Sequence, residues 1–92
     1  MKLDHLYTVF FEYKGGTYIS QIRGSSPSTA LLKWVETRTA EDFARWKTNK
    51  DNLSIALKES AMVPLDGAVN VWCISGIDNK KRLILVNIVA TE

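Results

Sequence analysis

The chain has 92 residues, 46% of them hydrophobic and 24% charged, with a net charge of +2 and an isoelectric point near 8.8. That length fits one domain, residues 1–92, and the composition excludes a chain disordered throughout. The mild basicity falls short of the strongly basic balance that signals nucleic acid, and the lone Cys73 excludes a disulfide within the chain and deprives a zinc site of its usual sulfur ligands.

Residues 1–16, MKLDHLYTVFFEYKGG, hold an apolar run of only a few residues, interrupted by Thr8 and Glu12. This fits neither a signal peptide nor a membrane span. Together with the single cysteine it points to a reducing cytoplasm. Residues 6–13, LYTVFFEY, are rich in Tyr, Val, Phe and Thr, which suit a pleated surface, and predict a first strand. TYISQIR, residues 17–23, alternates apolar and polar positions and predicts a second. Lys14-Gly15-Gly16 between them reads as a hairpin tip, because glycine supplies the positive φ of a tight turn. A phosphate-cradling loop would lead into a helix N-terminus, and here a strand follows.

Gly24-Ser25-Ser26-Pro27 ends the hairpin. Ser26 with Pro27 behind it, or Ser28 one turn later, predicts a helix start. Leu31, Trp34 and Val35 then share one helical face. Thr39 followed by Glu41 and Asp42 marks a second start, with Phe43 and Trp46 on one side. Residues 47–52 read as a polar turn, and Leu53, Ala56 and Leu57 as a last helical face ending near Ser60. Residues 27–60 thus predict two or three short helices. Residues 63–67 form a connector, residues 68–75 a third strand, residues 76–81 a turn and residues 82–91 a fourth strand. The expected fold is α+β: β-β-α(α)-β-β, a four-stranded, mainly antiparallel sheet with helices packed on one face.

Residues 6–37, which open LYTVFFEYKGGTYISQIR and carry the pair Ala30-Leu31, resemble the start of HicB-like antitoxin domains, where a Gly-Gly hairpin precedes a helix. The likeness covers about a third of the chain and implies the ββα topology and an antitoxin-like regulatory role. The chain departs from that pattern in having Gly24-Ser25-Ser26-Pro27 where those domains have a Pro-Gly-Cys type of loop. More broadly the chain resembles small bacterial protein families.

Three strands do not alternate. Val9-Phe10-Phe11, Val71-Trp72-Cys73-Ile74 and Leu83-Ile84-Leu85-Val86 carry large apolar side chains on both faces, whereas a sheet covered on one side alternates. Something is therefore expected to cover the second face, and a second copy is the simplest occupant. Tyr7, Tyr13, Tyr18 and Trp72 are the candidate interaction residues. Lys14, Lys80, Lys81 and Arg82, at the two hairpin tips, are the candidate nucleic-acid contacts, with Arg38, Arg45, Lys47 and Lys50 on the helical segment.

Catalytic chemistry finds little footing. Cys73 and His5 would make a nucleophile and base only within hydrogen-bond reach and with a third group to orient the base. Cys73 instead reads as a core residue. Asp66 and Asp78 read as turn residues, and Asn52-Leu53-Ser54 matches a glycosylation pattern that a cytoplasmic protein does not use. The expectation is a non-catalytic protein-interaction module, binding itself as a homodimer or another protein, with no catalytic, metal or cofactor site and no membrane contact. The alternative is a nucleic-acid-binding or antitoxin-like regulatory protein.

Overall fold

The computed structural model describes residues 4–58, 60–67 and 69–91. In chain order these form β1 (His5–Tyr13), β2 (Gly16–Gly24), α1 (Pro27–Glu36), α2 (Ala40–Trp46), α3 (Lys50–Lys58), β3 (Val63–Pro64), β4 (Val71–Ile77) and β5 (Leu83–Ala90). The strands make one antiparallel sheet in the order β2-β1-β5-β4-β3.

The sheet has five strands where the sequence predicts four. Val63–Pro64 is too short, and too unsuited by its proline, to read as a strand, yet it pairs with Cys73 and Trp72. β4 runs two residues further than expected. Gly76, which reads as a turn residue, lies inside the strand, paired with Ile84, where the missing Cβ lets α3 approach closely. A Cβ there would sit 2.8 Å from the Ala56 carbonyl oxygen. Ala68, the expected start of this strand, lies outside the described residues, and the strand begins at Val71.

The first hairpin forms as the glycines dictate. Tyr13 pairs with Gly16, so the turn consists of Lys14 (φ 51°) and Gly15 (φ 80°). Two successive left-handed residues make the I′ geometry that matches strand twist. The helix starts follow their caps. Ser26 Oγ accepts from the Thr29 amide at 3.1 Å, with Pro27 behind it at the first helical turn. Thr39 and Asp42 form a reciprocal capping box, each side chain accepting the other's amide at 3.1 Å. Asn49 Oδ1 accepts from the Asn52 amide at 2.8 Å, so α3 begins inside the segment that reads as a polar turn. Asn52-Leu53-Ser54 is consequently helical, with Leu53 in the core.

The three helices lie on one face of the sheet. Beneath them Tyr7, Val9, Phe11 and Tyr13 of β1 and Ile84, Val86 and Ile88 of β5 meet Ala30, Leu31, Trp34 and Val35 of α1, Trp46 of α2 and Leu53, Ala56 and Leu57 of α3. Phe11 is the hub of an aromatic cluster, with ring centroids 4.7 Å from Trp46 and 5.2 Å from Trp34. Trp34 Nε1 donates to Ser20 Oγ at 2.7 Å, which ties α1 to β2.

Candidate interaction surface

The register assigns every strand residue to a face. Tyr7, Val9, Phe11 and Tyr13 point to the helices, so Leu6, Thr8, Phe10 and Glu12 point away. One row across the far face runs Ile19, Phe10, Asn87, Cys73, Val63, and the next runs Thr17, Glu12, Leu85, Ser75. No described element covers these rows. Ile19 keeps 63% of its surface in water, Ile77 62%, Leu83 62% and Val63 55%. Phe10, between Ile19 and Asn87, and Leu85, between Glu12 and Ser75, are half-buried. The ionised strand residues of this face are Glu12 and Arg23, on neighbouring strands near opposite ends of the sheet. In the row on the other side of Phe10, Thr8 shares hydrogen bonds with Thr91 Oγ1 at 2.6 Å and Gln21 Nε2 at 3.2 Å.

The aromatic residues picked out in the sequence lie elsewhere. Tyr7 and Tyr13 are 3% exposed, and Tyr18 and Trp72 are partly buried against the same core. All four belong to the helix-covered face, because β1 presents its odd-numbered residues to the helices and pairing carries that parity across the sheet. Cys73 moves the opposite way. It sits half-buried on the open face, across from Asn87 and Val63, and is not a core residue. His5 is exposed at the start of β1. β5 separates β1 from β4, and His5 lies five residues along β1 from Phe10, which shares the row of Cys73. The two are therefore roughly 10 Å apart across the sheet, a further ~16 Å along it, and on opposite faces. Among the described residues no group of three or more His, Cys, Asp or Glu converges on a common point, and no helix is long and apolar enough to cross a membrane.

The basic residues do come together. Antiparallel pairing of β1 with β5 sets Tyr13 beside Ile84, so the β1–β2 and β4–β5 hairpin tips share one end of the sheet. Desolvation, followed by the charges of Arg82, Lys80 and Lys47, holds the Lys14 ammonium below its ordinary pKa. Two of these cations already have partners. Lys14 Nζ donates to the Trp46 carbonyl at 2.8 Å, at the C-terminus of α2. Arg82 Nε donates to Asp78 Oδ2 at 3.1 Å. Lys80 and Lys81 are exposed. Between the tips lies a shallow cleft of about 400 Å³ bordered by Glu12, Lys14, Arg82 and Leu85.

Asp78 organises this end, although in the sequence it looks like one more turn residue. Its side chain is 2% exposed. Oδ1 accepts the amides of Lys80 at 2.9 Å and Arg82 at 2.8 Å, while Oδ2 accepts Arg82 Nε and the Tyr13 hydroxyl. Burial alone would raise the carboxyl. The Tyr13 hydroxyl and the Arg82 and Lys80 donors outweigh it and bring the pKa to about 2. Burial and the adjoining carboxylate push the Tyr13 phenol up. The Asp78-Asn79-Lys80-Lys81-Arg82 spacing is the sequence signal for such a side-chain-capped turn; the tyrosine partner, 65 residues away, has no local signal.

A second concavity, a groove of about 270 Å³, separates α1 from α3. Leu31, Val35, Leu57, Met62 and Ile74 line it, with Glu36 and Lys58 at its rim. Compared with protein-family models, with curated proteins and with solved structures, the chain matches none.

Proposed function

We propose that the protein is a non-catalytic interaction module that docks an apolar surface of another protein on the open face of its sheet. The observation that supports this is the set of apolar side chains on that face, Ile19, Val63 and the adjoining pair Ile77 and Leu83, each more than half exposed. Extended apolar surface on a folded chain is characteristic of a binding site. With few ionised groups on the face, docking there is driven by burial of apolar area at about 25 cal/mol per Å². The same reading keeps the protein in a reducing compartment such as the cytoplasm, where Cys73 stays a thiol.

The test compares two pairs of substitutions in the complex that co-purifies with the protein. Leu83→Lys and Ile77→Lys are expected to release the partner, while Lys80→Glu and Lys81→Glu retain it, and raised salt leaves the complex intact. A partner that stays bound through Leu83→Lys and Ile77→Lys would overturn the reading.

The gathering of Lys14, Lys47, Lys80 and Arg82 at one end favours a second reading, binding of single-stranded nucleic acid at the hairpin tips. It predicts that affinity for a short RNA or DNA oligonucleotide falls steeply with salt and falls further in the Lys80→Glu, Lys81→Glu variant. Salt-independent binding, or none, would remove it.

A further inference from the structure

β2 is the outermost strand of the sheet. The two-residue turn at Lys14 and Gly15 closes on Tyr13 and Gly16, a pair that exchanges both its hydrogen bonds. Alternation from that pair aims the backbone groups of Gly16, Tyr18, Ser20 and Ile22 at β1. It turns the N–H and C=O groups of Thr17, Ile19 and Gln21 outward, and all three residues are exposed. We propose that a second copy of the chain adds along this edge, β2 against β2 in antiparallel register, joining the two sheets into one of ten strands, five from each copy.

The two edges of the sheet are built differently. β3 ends its side with two residues, one of them a proline without an N–H. Beyond it β4 is pressed by α3 at Gly76. β2 is nine residues long, and its pairing with β1 runs without a bulge from His5 opposite Gly24 to Tyr13 opposite Gly16. It contains no proline, lysine or acidic residue. Of the usual devices that keep sheet edges apart, β2 carries only a single charge, Arg23, near its end.

A second copy fits this edge by its chemistry. Identical strands paired antiparallel meet about a two-fold axis. With Ile19 on the axis, its exposed side chain lies beside the partner's Ile19, and Thr17 lies beside the partner's Gln21. Apolar meets apolar and polar meets polar, and the three pairs exchange about six backbone hydrogen bonds. Arg23, the one ionised residue of β2, falls at opposite ends in the two copies, so the two arginines do not meet, and each lies opposite the Gly15 position of the other copy, next to Lys14. The axis stands normal to the sheet, and the two open faces look the same way as one continuous platform. This pairing uses the backbone edge, so it stands whether or not the open face docks another protein.

The test is sedimentation velocity together with amide hydrogen exchange on the full chain. The protein is expected to dimerise with a dissociation constant on the order of micromolar, and the amides of Thr17, Ile19 and Gln21 to gain protection as its concentration rises. Proline is accepted at an edge position whose N–H faces water. Gln21→Pro is therefore expected to keep the circular dichroism of the fold and to weaken the dimer at least about tenfold, while Gln21→Ala preserves it. A protein that stays monomeric at every concentration overturns the proposal. So does a dimer in which those three amides exchange as fast as in the monomer. A dimer that survives Gln21→Pro but dissolves on Leu83→Lys would place the contact on the open face instead. If Gln21→Pro does not fold, the exchange pattern of the unaltered chain decides.

Discussion

Val9, Phe11, Val86 and Ile88 on one face of the sheet have no solvent exposure, while Ile19, Ile77 and Leu83 on the other keep about three-fifths of theirs. Ile19, Ile77 and Leu83 are of the same apolar types as the buried set, although the open face also carries Thr8, Glu12, Ser75 and Asn87. Topology makes the difference. All three helices fall between β2 and β3, the two edge strands, so the whole helical segment crosses the sheet on one side. Apolar content in a strand therefore reports that a face is suited to burial, and the crossing chain decides which face is buried within the monomer.

Substitutions sharpen this contrast. Phe11→Ala, at the centre of the aromatic cluster, is expected to lower stability by about 3–5 kcal/mol in urea denaturation. Asp78→Asn comes next. The Asp78 carboxyl titrates at 3.8 in an unfolded chain and at about 2 in the fold. Because the folded value is the lower one, this contribution, roughly 2–3 kcal/mol, is fully present above about pH 5 and is lost as the pH falls from about 4 through 2. Stability measured across that window should slope in the native chain and flatten in Asp78→Asn. Thr39→Ala, which removes half of a capping box, is expected to cost about 1 kcal/mol in the same assay. Leu83→Lys, on the open face, should change monomer stability by no more than about 0.5 kcal/mol. A loss as large as that of Phe11→Ala would show that something covers the open face in solution, and would erase the contrast.

Much of this arrangement is legible in the residues. The Lys14-Gly15 turn, the Ser26 and Thr39 caps and the Leu31-Trp34-Val35 face are local, and each forms where local chemistry requires. The doubly apolar strands also state that both faces of the sheet are suited to burial. Parity is what the residues conceal. In Val9-Phe10-Phe11 either phase puts a large apolar side chain inward, so the residues alone give Tyr7, Tyr13, Tyr18 and Trp72 no face, and Cys73 between Trp72 and Ile74 reads as core. β3 is invisible because two residues with a proline carry no strand signal. The meeting of Asp78 with Tyr13 depends on β1 and β5 lying side by side, a long-range pairing that leaves no trace in either segment.

That central pairing bears on how the chain is made. The Oγ1 atoms of Thr8 and Thr91, which touch in the finished fold, are 83 residues apart. Until β5 emerges from the ribosome, the β1–β2 hairpin has no neighbour on its inner side, and β4 has only the two residues of β3 to join. The sheet closes from its middle and last, a topology of slow, non-local contacts. A nascent chain halted before residue 83 would leave two separate strand pairs with their apolar faces in water, the form most prone to aggregate or to recruit a chaperone.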